Sequence, residues 1–158
     1  MFTKDDFRKY FGQLARMERK MIYGVHELAG EIDDSALKKI LHDIGEREIK
    51  HYNQVLKLPQ VVGLGHFEGR RESREDVLGI VRLRDAENPG SIEVKAYCVD
   101  LSKNGICLES PEDFSVSSVW DLEIQLLNNQ EIMTHRGRLA RTKKIESDCL
   151  IGGIDFLF

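Results

Sequence analysis

Two spacings of apolar side chains divide this chain. Up to about residue 58 they recur in alternating steps of four and three, the signature of a helix with one buried stripe. The first run is Phe7, Phe11, Leu14, Met21, Val25 and Leu28, and it follows Thr3 with Asp6 three residues on, a capping-box arrangement that starts a helix. Gly30 predicts its end, since glycine accepts the left-handed backbone that closes a helix, and Asp33, Asp34 and Ser35 offer the cap of a second. That second helix is expected from about Ser35 to Leu58, with Leu37, Leu41, Ile44, Val55 and Leu58 on its seam. It should stop before Pro59, because proline disfavours helical geometry in the preceding residue. Residues 1–58 therefore read as an antiparallel helical hairpin.

Ionisable residues interrupt both seams: Glu18 in the first helix, Glu48 and His51 in the second. In a hairpin that turns near residue 33, Glu18 and Glu48 fall at one level and His51 lies close by. A carboxylate on a buried seam is costly unless something compensates it. A polar layer that fixes register and oligomer state is one explanation. Joint ligation of a metal ion is the other, since residues three apart share a helical face, as in Glu48-x-x-His51.

Beyond the hairpin, Pro59, Gly63, Gly65 and Gly69 mark residues 59–69 as a linker. Short strand-like runs follow: Val77–Leu83, Ile92–Val99, Ile106–Glu109, Val119–Leu127, Ile132–Ala140 and Cys149–Phe158. Turn signals such as Asn88-Pro89-Gly90 and Asn128-Asn129 separate them, and this spacing predicts a small antiparallel barrel. The expected fold class is α+β: a helical hairpin over 1–58, a linker over 59–69 and a barrel over 70–158.

Composition narrows the chemistry. A hydrophobic content of 41% over 158 residues is enough for compact cores. The net charge of −4 argues against nonspecific nucleic-acid binding, which needs a basic face. The charged amino terminus does not fit a signal peptide, and no run approaches the roughly 18 apolar residues of a spanning helix, so a cytoplasmic protein with no membrane partner is expected. The three cysteines, Cys98, Cys107 and Cys149, lack metal-type spacing; Cys98 and Cys107 stand equally far from one turn, where they could face each other. No Ser-His-Asp or Cys-His arrangement and no glycine-rich phosphate loop suggests a hydrolase or kinase.

Against this acidic background one cluster concentrates positive charge, Arg70-Arg71-Glu72-Ser73-Arg74. Downstream, Asp100-Leu101-Ser102-Lys103-Asn104-Gly105 sits where a chain reverses between two strands, and by itself reads as a hairpin turn. Guanidinium forks suit phosphate oxygens and the O6/N7 edge of guanine. A carboxylate and a hydroxyl take the complementary guanine N–H donors.

The ordered pair resembles the signature of the PilZ family, Arg-x-x-x-Arg followed by Asp/Asn-x-Ser-x-x-Gly: Arg70 and Arg74 match the first half, and Asp100, Ser102 and Gly105 the second. Arg71 stands outside this register, with Glu75 four residues on. Gly153-Ile154-Asp155-Phe156 is similar to the Gly-x-x-Phe of the family's last strand, and Gly137-Arg138-Leu139-Ala140-Arg141 to its penultimate one. The resemblance implies a six-stranded barrel that binds cyclic di-GMP through Arg70, Arg71, Arg74, Asp100, Ser102 and Gly105. The hairpin in turn resembles half of a ferritin-like di-iron site, as the encapsulated ferritins build theirs from two-helix halves. That likeness implies a homodimer with two iron ions, in which Glu18 and His51 are terminal ligands and Glu48 bridges. The expected protein is a dimeric cyclic di-GMP receptor acting on a downstream protein, and not an enzyme. Its alternatives are a di-iron oxidoreductase or ferroxidase regulated by the nucleotide, and a metal-free dimeric adaptor.

Overall fold

A computed structural model describes residues 2–64, 75–115, 117–146 and 149–158, and the chain divides into two compact units, Met1–Arg70 and Arg71–Phe158.

The first unit is a pair of helices, α1 (Lys4–Glu31) and α2 (Ser35–Val61). The capping box forms as expected: Asp6 N–H donates to Thr3 Oγ1 at 3.2 Å and Thr3 N–H to Asp6 Oδ2 at 2.8 Å. The Thr3 N–H and hydroxyl, both donating to Asp6 Oδ2, hold the Asp6 carboxyl below its usual range. Asp34 caps α2, its Oδ1 accepting from Ala36 and Leu37 N–H, both at 2.9 Å. Helix α1 ends near Gly30 as expected, though through a different cap, and α2 overruns its expected stop. Gly30 lies inside α1, which ends at Glu31 with the extended residue Ile32 as its cap. Helix α2 runs through Pro59 to Val61, because a proline in the last turn removes only one backbone hydrogen bond. Gly63, at φ +71°, makes the stop instead. Its N–H donates to Gln60 O at 3.1 Å and Leu64 N–H donates to Pro59 O at 2.8 Å, the two bonds of a Schellman end, with the Leu64 side chain buried.

The seams also need correction. Helix α1 buries Ala15, Ile22, Tyr23 and Ala29, whereas Phe7, Met21 and Leu28 of the expected seam are exposed. The buried positions 15, 22 and 29 repeat every seven residues, one place along from 14, 21 and 28. Small residues at Ala15 and Ala29 let the helices approach, and the longer apolar side chains flank the contact.

The second unit is a closed antiparallel barrel of six strands: β1 (Gly79–Asp85), β2 (Val94–Ser102), β3 (Gly105–Ser110), β4 (Val119–Leu126), β5 (Ile132–Glu146) and β6 (Cys149–Leu157), in the order β1-β2-β3-β6-β5-β4. Alternate residues fill its centre, among them Val81, Leu83, Ala96, Ile106, Leu108, Ile124 and Ile154, around Trp120 and Phe114. The indole N–H of Trp120 donates to Ser117 O at 3.2 Å. Strand β5 continues six residues past its expected end at Ala140. Its extension is exposed from Arg141 to Ile145 and is held by pairing with β6, as Arg141↔Gly153, Thr142↔Gly152 and Lys143↔Ile151.

Candidate functional site

Strand β2 changes face part way along. Ala96 and Cys98 lie in the core, and a strict two-residue period would send Asp100 and Ser102 after them. Instead Cys98 pairs with Leu108 and Asp100 with Cys107, which leaves Val99 as an extra residue in a β-bulge. From there Leu101 packs against the core, and Asp100 and Ser102 take the outer face. The same bulge separates Cys98, on the inner face, from Cys107, on the outer; none of the three cysteines forms a disulfide, and the Cys149 thiol donates to Glu109 Oε1 at 3.2 Å.

The reversal itself is tighter than the six-residue stretch suggests. Ser102 pairs with Gly105 across a two-residue turn, Lys103-Asn104, and the Ser102 hydroxyl donates to Gly105 O at 3.3 Å. Gly105 is required by close approach rather than by a positive φ: a Cβ there would lie 2.6 Å from Ile154 O. Phe156 N–H donates to Asn104 O at 2.8 Å and straps the turn to β6.

Arg70, Arg71 and Arg74 lie outside the described residues. The residue that follows them is described: Glu75 and Leu101 exchange two backbone hydrogen bonds, each 2.9 Å, in an antiparallel bridge. Leu101 is the residue between Asp100 and Ser102, so the bridge begins one peptide bond after Arg74, at the centre of the second half of the signature. Asp100 is only 5% exposed.

Reading across the strands extends this face. Asp100 on β2, Cys107 on β3, Gly153 on β6 and Arg141 on β5 are successive register partners, and so are Ser102, Gly105, Asp155 and Arg138. Where Gly153 lacks a Cβ, the Arg141 side chain lies across it, with Nε 3.5 Å from the position that atom would take. Asp155 Oδ1 lies 3.5 Å from the corresponding point of Gly105. Sequence inspection missed Arg138, Arg141 and Asp155 as neighbours of Asp100 and Ser102, because only the pairing register joins residues so far apart in the chain.

Another stretch of the barrel's outer face treats its arginines differently. Arg82 donates to Glu123 at 2.6 Å, Arg84 to Glu93 at 2.8 Å, and Arg136 grips Asp121 with two bonds of 2.6 and 3.0 Å. The Arg136 hydrogen bond holds the Asp121 carboxyl below its usual range.

On the hairpin, Glu18, Glu48 and His51 come together: one ligand atom from each lies within 4.8 Å of the others, and His51 Nδ1 is 3.5 Å from Glu48 Oε2. Burial raises the Glu18 carboxyl above its ordinary range, and the facing charge of Glu48 and a hydrogen bond with it raise it further, while His51 opposes this. Glu18 Oε2 is buried and has no hydrogen-bond partner among the described residues. Two carboxylates and an imidazole form a donor set for a first-row divalent ion.

The family model of the PilZ domain matches residues 68–157. No curated protein matches the chain. Similar solved structures include the inhibitor of motility MotI/DgrA of Bacillus subtilis, 16% identical at a TM-score of 0.44, where 58% of this chain covers 44% of that one. The PilZ domain of YcgR from Escherichia coli, solved with c-di-GMP, is 13% identical at a TM-score of 0.45, over 57% of this chain and 79% of that one. The PilZ domain of CeSA, from a cellulose-synthesizing bacterium, is 20% identical at a TM-score of 0.40, over 54% and 81%. Among the described residues no helix is long and apolar enough to cross a membrane.

Proposed function

This chain belongs to the PilZ domain family, and from that premise we propose that its barrel is a cyclic di-GMP receptor, a binding and signalling module rather than an enzyme. Arg70 and Arg74 supply guanidinium forks, Asp100 and Ser102 take guanine N–H groups, and Arg71 and Gly105 complete the site. The observation that carries this reading is the Glu75–Leu101 bridge, which ties the chain just after Arg74 to the strand that presents Asp100 and Ser102. The bulge at Val99 supports it by turning both side chains outward. Titration calorimetry tests it: Arg74→Ala or Asp100→Ala removes a charged contact worth about 1.5–3 kcal/mol, so affinity should fall more than about tenfold. Unchanged affinity in both variants overturns the site, and a wild type that does not bind overturns the function.

The hairpin favours a second element of the same reading. Tyr10, Met17, Met21 and Leu28 of α1 and Leu37 and Ile40 of α2 are exposed apolar residues, and a second copy of the chain covers them in a four-helix bundle. Two iron ions then sit between Glu18, Glu48 and His51 of both copies, where four carboxylates balance two divalent charges. The convergence of the three side chains, with a buried oxygen of Glu18 left without a hydrogen bond among the described residues, is what supports the metal. A ferroxidase activity belongs to the alternative reading and would require turnover with oxygen.

A further inference from the structure

We propose that the nucleotide face reaches across four strands to β5, and that Arg141 is a ligand-binding residue on its far side, with Arg138 beside it. The inference rests on the cyclic di-GMP reading above. Arg141 shares a transverse row with Asp100, three inter-strand steps away. At about 4.8 Å per step the row spans roughly 14 Å. Between its ends stand only Cys107 and Gly153, so a small side chain and a missing one leave a low shelf with an acid at one edge and a guanidinium at the other. The Arg141 side chain already lies along this shelf, over Gly153.

Charge separates Arg141 from the other arginines of the barrel. Arg82, Arg84 and Arg136 each hold a carboxylate at 2.6–2.8 Å. Among the described residues neither Arg138 nor Arg141 has an ion pair, and the two stand on the same strand in rows separated by the inward row of Leu139. Arg141, whose register partner is a glycine, is a local positive charge on a chain of net charge −4, and Arg138 beside it stands opposite Asp155. The ligand's chemistry asks for such a charge. Cyclic di-GMP carries two guanines and two phosphates, so recognition at the Asp100 edge leaves a second copy of each group further along. The Arg141 fork fits either a phosphate or a guanine O6/N7 edge. The Asp155 carboxylate, lying over Gly105, is an acceptor for the donors of the second base.

Calorimetry of the full chain with cyclic di-GMP tests this, with the buried Trp120 as a fluorescence reporter that each variant's barrel is folded. Arg141→Ala should weaken binding about tenfold, and Arg141→Lys, which keeps the charge and loses the fork, by an intermediate factor. Arg82→Ala, on an ion-paired arginine, should stay within about twofold of the wild type. A wild type that binds no cyclic di-GMP overturns the receptor reading and this one with it. A wild type that binds, with Arg141→Ala within about twofold of it, overturns only the reach to β5.

Discussion

The barrel and the hairpin solve the same problem to different extents. Each packs amphipathic elements antiparallel, but the barrel's strands close on themselves and place every inner face against another, down to a Trp120 that is 1% exposed. The hairpin has only two elements. Its helices meet along Ala15, Ile22 and Ala29 and leave Met17, Met21 and Leu28 outside. A closed sheet has no remaining edge or apolar face to satisfy, whereas two helices always have one side uncovered. The two candidate sites therefore lie on the barrel's outside, where the core does not need the positions, and on the hairpin's seam, where a polar cluster displaces apolar contact.

This contrast can be broken most decisively at the exposed stripe. Met21→Glu with Leu28→Glu should turn a dimer into a monomer by light scattering, with the barrel's Trp120 fluorescence unchanged. A mass that stays that of a dimer would move the interface to the barrel. Next in size, Trp120→Ala should destabilise the barrel by about 3–5 kcal/mol, as deletion of a fully buried indole does. Denaturation followed by helical circular dichroism should then leave the hairpin's transition in place, whereas a helical transition lowered along with the barrel's would mean that the two units are one cooperative block.

A smaller effect belongs to Glu18. Its carboxyl is raised in the folded hairpin above the ordinary value of 4.5, so the stability it contributes is full below that value and is lost as pH rises through the raised pKa. Metal-free protein should thus melt at lower temperature toward neutrality, Glu18→Gln should flatten the trend, and ferrous iron added anaerobically should reverse it. Glu48→Ala should abolish iron binding; iron retained in that variant would exclude the bridging role. The smallest change is Thr3→Ala, which removes the capping box and should cost the hairpin about 1 kcal/mol while leaving the barrel's melting unchanged.

Much of the architecture was legible because periodicity reports which faces are buried. Periods of four and three placed the helices, and a period of two with turn signals placed six strands. Helix ends were less legible: Pro59 announces a stop in sequence, yet the energetics of a last turn tolerate it, and Gly63 stops the helix because Leu64 can pack beneath it. The seam fell one residue from expectation since Ala15 and Ala29 are weak hydrophobic signals that matter for how closely helices approach. The second half of strand β5 was invisible because exposed residues such as Arg141, Lys143 and Lys144 carry no alternation, and only pairing to β6 holds them extended. At the candidate site, Asp100, Ser102 and Gly105 could be found as a motif. Their row partners on β5 and β6 depend on register, which one sequence does not encode locally.

Strand β2 behaves like a message with a reading frame. Up to Cys98 the even positions mean inside; after Val99 the even positions mean outside, and Asp100 and Ser102 are translated in the second frame. The site is therefore encoded by a count as well as by residue types. Point substitutions at Asp100 or Ser102 alter single words, but pairing Val99 regularly with Cys107, without the bulge, would shift the whole remaining phrase, sending a carboxylate and a hydroxyl toward the core and Leu101 into water. The length of this strand is as much a part of the candidate site as any side chain on it.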